Sequence, residues 1–283
     1  MSNVIEGAET IIRVIRIALE ENEGALIGRN GSTELELMID INKPHLYQAI
    51  TYNAGIFPIN TLLQWQTQSI YASKEADILA SGWYKPLIEA EKKALSEWNF
   101  NGQQIPLRSL EAYYVKPEYR WTALLSGHRV AVISSFTNSM KSQVKNIDQI
   151  WGTHQILPKD IDWQWIQTGH SPLVANGTNE WPPGINSWTD AVDYVVSEVV
   201  AKDVRFALIG CGGLSMPIAK ALKDRGVIAI VLGGAIQVLF GIKGRRWINH
   251  EIISKFWNEA WIWPSAKETP ENSRGVEGGC YWQ

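Results

Sequence analysis

Phe206-Ala-Leu-Ile-Gly-Cys-Gly-Gly213, the apolar-faced stretch Leu214 to Arg225, and Gly226 followed by Val227-Ile-Ala-Ile-Val-Leu-Gly-Gly234 decide the fold. Phe206–Ile209 is a short, continuous apolar run and reads as a buried strand. The turn 210–213 breaks it. A helix from about Ser215 to Arg225 then ends at Gly226, the residue type that most easily leaves a helix through the left-handed region. Val227 to Leu232 is a second buried strand, ending at Gly233-Gly234. Strand, helix, strand in that order specify a parallel sheet with right-handed crossovers.

The same alternation extends upstream. Ser187-Trp-Thr-Asp190 resembles a capping box, and Trp188, Ala191, Val192, Val195, Val196 and Val199 keep one helical face behind it. Pro172 to Pro183 is loop, broken by Gly177, Pro182 and Pro183. Ile161 to Thr168 and Arg129-Val-Ala-Val-Ile-Ser134 are strands. Residues 45–100 show few strand signals and are expected to form a mostly helical insertion packed on the sheet. Ala25 to Ile27 enters a glycine turn, after which Ser32 or Thr33 is placed to cap a helix. Ile5, Ala8, Ile12, Ile15 and Leu19 mark an amphipathic opening helix. No repeat or linker divides the chain. The expected architecture is one Rossmann-like α/β domain over 1–283, with a parallel sheet, an N-terminal helix and a helical insertion.

Composition narrows the function classes. With 283 residues, the chain can bury a core without disulfides or structural metal. A formal charge of −3 argues against nucleic-acid binding through a broad basic surface. Cys211 and Cys280 do not form a disulfide framework, and no leader or membrane span is visible, so the expected location is the cytoplasm. Fourteen tryptophans suit stacking on sugar rings, although indoles fill cores equally well.

In a doubly wound sheet, ligands bind where strands end and helices begin. Three glycine turns, at 28–31, 210–213 and 233–234, fall at such ends and could bring backbone close to phosphate. Gly210-x-Gly212-x-x-Ser215 is a defective dinucleotide fingerprint, and the next strand ends Ile230-Val-Leu-Gly-Gly without the carboxylate that would hold a ribose. Lys243, Arg245 and Arg246 form a cationic group suited to a diphosphate. Asp160 and Asp162 have metal-pair spacing but precede their strand, at the wrong edge of the sheet. Glu34 and Glu36 diverge at helical pitch, so only one can serve a cleft. His170, in a loop at a strand end, has no evident metal or nucleophile partner.

Taken together, Arg29-Asn-Gly-Ser-Thr-Glu34, Arg129–Phe136, Ala207–Gly213, Gly233–Trp247 and Glu277-Gly-Gly-Cys-Tyr-Trp282 resemble bacterial glycosyltransferases of the GT-D fold, especially those of surface-polysaccharide synthesis. The resemblance implies a nucleoside diphosphate sugar donor and a glycan or glycolipid acceptor. With the glycine turns and the cationic group already read from the residues, this puts Arg29, Gly31, Ser32, Gly212, Gly213, Gly234, Gln237, Lys243, Arg245 and Arg246 at the donor. In that family the early turn carries an Asp-x-Glu pair associated with metal and diphosphate. Here the Asp position is Ser32, a poor ligand for a hard cation, so Mg2+ or Mn2+ is expected to bind weakly through Glu34 or not to be required. Glu34 is the first candidate for the acceptor's general base and Glu111 the second. The competing expectations are a nucleotide- or S-adenosylmethionine-dependent Rossmann enzyme and a non-catalytic carbohydrate-binding homologue.

Overall fold

The computed structural model describes residues 2–283. Its strands are β1 (Ala25–Gly28), β2 (Ile78–Ala80), β3 (Gln103–Ile105), β4 (Arg129–Ser134), β5 (Asp162–Gln167), β6 (Phe206–Gly210) and β7 (Ile228–Val231). They form one all-parallel sheet in the order β3-β2-β1-β7-β6-β4-β5. Successive strand residues point to opposite faces, and both faces are apolar. Ala25, Ile27, Val130, Val132, Phe206, Leu208, Ile228 and Ile230 join a core with Ile11 and Ile15 of the helix Ser2–Glu21. Leu26, Ala131, Ile133, Ala207, Ile209, Ala229 and Val231 face the other way, onto the helices Leu62–Lys74, Trp188–Val200 and Ser215–Lys223. This double burial explains why the central strands read as continuous apolar runs.

The opening helix and the strands at Ala25, Arg129, Asp162, Phe206 and Ile228 lie where the sequence places them. Gly226 ends its helix in the left-handed region (φ +80°). The Ser187 side chain accepts from the Asp190 backbone N–H. Residues 45–100 do carry helices, at Tyr47–Ala54, Leu62–Lys74 and Ile88–Glu97. They also contribute β2, which pairs with β1, so the stretch is woven into the sheet. Three residues, Ile78-Leu79-Ala80, are too short for a periodicity that separates strand from buried helix. The cap of the helix Ser32–Ile39 also differs from expectation: its N-cap is Gly31, with no side-chain cap bond. The Glu34 carboxylate folds back over Gly31 and fills the space a capping side chain would use.

Ile230 is fully buried in β7, between β1 and β6. Ile230→Ala is expected to destabilise the chain by about 2–5 kcal/mol, through lost burial and the cavity it leaves. A chemical-denaturation midpoint checks this value.

Candidate functional site

Because every strand runs the same way, their carboxyl ends share one edge of the sheet. The connection from β1 leads toward β2, whereas the helix Ala235–Leu239 after β7 packs on β6. A crevice opens where the two connections part. A cleft of about 470 Å3 lies there, lined by residues that follow β1, β4, β6 and β7.

Arg29 leaves β1 directly into this cleft. Its guanidinium carbon lies 4.5 Å from the centre of the Trp83 ring, and its Nε is shielded from solvent without a hydrogen-bond partner. Among the described residues it enters no ion pair. Burial lowers its pKa, while the negative charges of Glu34 and Glu111 oppose the shift. Arg246 approaches from the other side, donating to Glu277 Oε2 at 2.6 Å and lying 4.4 Å from the centre of the Tyr281 ring. The two arginines meet at one turn. A Cβ on Gly233 would touch Arg29 Nη1, and one on Gly234 would stand 2.8 Å from Arg246 Nη1. The glycine pair is therefore the space that admits two guanidinium groups to one point.

Two carboxylates face this cationic point. Burial raises the pKa of Glu34, and burial holds that of Glu111 up at about 7, against the pull of Arg29 and Arg108. Glu36, as helical pitch requires, points elsewhere and pairs with Lys43 at 2.8 Å. Asp162 opens β5 and pairs with Arg129 at the opposite edge of the sheet, clear of the cleft.

Gly31, Ser32, Gly212, Gly234 and Gln237 line the cleft with Arg29, Glu34, Glu111 and Arg246. Gly213 lies beneath it, its carbonyl accepting from Trp65 Nε1 at 2.9 Å. The cationic group of three does not assemble. Lys243 Nζ sits 5.5 Å from the Trp257 ring centre, and Arg245 is exposed. Both lie off the cleft: Lys243 is drawn to Trp257, and the tight turn Arg245–Trp247 sends the consecutive Arg245 and Arg246 side chains in different directions. Gly212 lines the cleft with φ +59°, but a Cβ there would stand 2.8 Å from Ala54 Cα. The close approach it permits is thus to the helix Tyr47–Ala54.

Sequence reasoning missed a set of unsatisfied polar atoms. Eight shielded side-chain atoms lack a hydrogen-bond partner among the described residues, and five of them line this one cleft. They are Arg29 Nε, Asn53 Oδ1, Trp83 Nε1, Ser171 Oγ and Gln237 Oε1. Buried polar groups are nearly always paired, so this concentration singles out the cleft as the candidate ligand site. No motif announces Asn53, Trp83 or Ser171, since each reaches the cleft only through tertiary packing.

Among the described residues, no three His, Cys, Asp or Glu side chains group together as metal ligands would, and no helix is long and apolar enough to cross a membrane. Comparison with protein-family models, curated proteins and solved structures finds no match to this chain. What stands on geometry is an α/β fold with a seven-stranded parallel sheet and a polar cleft at its switch point.

The two glycine turns are expected to respond differently to substitution. Gly212→Val meets backbone at a left-handed position and should destabilise the fold by roughly 2–4 kcal/mol. Gly234→Ala meets side chains rather than backbone, Arg246 Nη1 at 2.8 Å and the Tyr281 ring edge at 2.9 Å, and should lower the thermal midpoint less than Gly212→Val does. Melting curves of both variants check the contrast.

Proposed function

We propose that the chain is a glycosyltransferase that moves a sugar from a nucleoside diphosphate sugar to a hydroxyl of a glycan or glycolipid, in surface-polysaccharide synthesis. The observation that carries this reading is the convergence of Arg29 and Arg246 on the Gly233-Gly234 turn, opposite Glu34 and Glu111. An arginine without a counter-ion in a shielded cleft is costly unless an anion completes it. A diphosphate supplies that anion. When the glycosidic bond breaks, charge grows on the departing diphosphate, where fixed guanidinium groups stabilise it most. The resemblance of the glycine turns to those of GT-D glycosyltransferases supports the same conclusion.

The acceptor hydroxyl needs a base. Glu34 is folded onto the start of its own helix, whereas Glu111 has a pKa near neutrality, so Glu111 takes the role and Glu34 holds the turn after β1. The residues do not fit a tightly held Mg2+ or Mn2+. Ser32 offers only a hydroxyl, Glu277 is engaged by Arg246, and hard cations require several anionic oxygens. The arginines carry the charge neutralisation instead. A dinucleotide or S-adenosylmethionine site has less support, since β7 ends without a carboxylate and the turn after β6 is packed against Ala54.

Arg246→Ala is expected to weaken nucleoside diphosphate binding tenfold to a hundredfold, about 1.5–3 kcal/mol, with little effect on a free nucleoside. Calorimetric titration separates the two, and equal losses would contradict a phosphate role. Transfer should persist in excess chelator. Because Glu111 must lose its proton to act, kcat/KM should rise with pH and level off above about 7. Glu111→Gln should reduce the rate by on the order of 10²–10⁴ and remove that rise. A pH-rate profile of both proteins checks the assignment.

A further inference from the structure

The cleft divides by charge. Among the described residues, its charged side chains are Arg29, Glu34, Glu111, Arg246 and Glu277, which come from the chain after β1, β3 and β7. The half beyond β4 and β6 has none, yet it is not apolar. The Asn53 side-chain amide makes no hydrogen bond among the described residues, and its Oδ1 is shielded. Asn53 is held there by its neighbour Ala54, whose backbone lies against Gly212 at the end of β6. Ser171 is 4 % exposed and its Oγ also lacks a partner. Beside it, burial lowers the pKa of His170 to about 4, so the imidazole is uncharged at neutral pH. Half-buried Trp181 supplies an aromatic wall.

Resting on the reading of the cleft as a nucleotide-sugar site, we propose that this uncharged half holds the nucleoside, with the Asn53 amide and the Ser171 hydroxyl hydrogen-bonding the nucleobase edge. The diphosphate joins the two ends of such a donor, and it belongs at Arg29 and Arg246. The sugar must lie where a base can serve the acceptor, on the side of Glu111. The nucleoside is left with the opposite half. A nucleobase is planar, is uncharged at neutral pH and presents donors and acceptors side by side. A free primary amide matches such an edge with two hydrogen bonds, as Asn and Gln do when they read base edges in nucleic acids. Two unpartnered polar groups in a shielded pocket favour a ligand that satisfies both over one that leaves them bare.

The test measures calorimetric binding of inorganic pyrophosphate and of adenosine, guanosine, uridine and cytidine diphosphates to the full chain. The proteins are wild type, Asn53→Leu, Ser171→Ala and Arg246→Ala. In wild type, one nucleoside diphosphate should bind more tightly than pyrophosphate. Asn53→Leu and Ser171→Ala should each weaken it about tenfold, the effect of a lost hydrogen bond to a shielded partner, and leave pyrophosphate unchanged. Arg246→Ala should weaken both ligands. If neither polar variant alters nucleoside diphosphate affinity, or if both weaken pyrophosphate equally, the nucleoside assignment falls while the diphosphate site stands. Failure of wild type to bind pyrophosphate or any of the four nucleotides overturns both readings.

Discussion

The pairing of β1 with β7 is the constraint on which the rest of the structure depends. Ala25, Leu26 and Ile27 lie in register with Ile228, Ala229 and Ile230, joining a strand near the amino terminus to one more than two hundred residues later. Such a long-range pairing must be sustained by burial on both faces, and both strands are apolar throughout. Its consequence is chemical. Parallel register brings the residue after β1, Arg29, level with the turn after β7, Gly233-Gly234. Were the two strands apart, neither the guanidinium nor the glycine turn would form a site.

Arg246, Glu277 and Tyr281 belong to a second layer built on that pairing. They arrive from the C-terminal segment, which has little regular structure and is held by specific bonds. Fully buried Glu268 accepts from the backbone N–H groups of Asn138 and Ser139 at the start of the helix Thr137–Gln143 and from Ser265 Oγ, while its carbonyl accepts from Trp282 Nε1. A carboxylate at a helix N-terminus is well compensated for its burial. These contacts fix the Tyr281-Trp282 pair over the cleft, and Tyr281 in turn supports Arg246.

Much of the central sheet was legible because buried parallel strands in this chain are short apolar runs bounded by glycine. The Phe206–Gly234 unit, the Ser187 cap and the Gly226 stop could be read locally. β2 and β3 could not, since three residues carry no period and their pairing is decided by distant partners. The candidate site was legible where chemistry follows a strand directly, as with Arg29, Glu34 and Gly234. It was illegible where tertiary packing chooses among neighbours. Lys243, Arg245 and Arg246 are equivalent in sequence, yet Lys243 turns to Trp257 and one tight turn separates Arg245 from Arg246, so that only Arg246 reaches the cleft. Gly212 and Gly234 both sit in glycine turns at strand ends, but one makes room for a helix backbone and the other for a guanidinium. Asn53, Ser171 and Trp83 become visible only when their unsatisfied atoms are seen to share one cleft.

The proposed reaction cleaves a nucleotide sugar in this cleft and passes the sugar on. The most direct measurement is release of nucleoside diphosphate from a panel of nucleotide sugars, with chelator and a mixed glycan and glycolipid acceptor pool, for wild type and Arg29→Met. Wild type should release nucleoside diphosphate from at least one donor, with a sugar-bearing acceptor formed, and Arg29→Met should lose that release. No release from any donor by a folded wild-type protein that binds S-adenosylmethionine or a nicotinamide dinucleotide would contradict the proposed reaction.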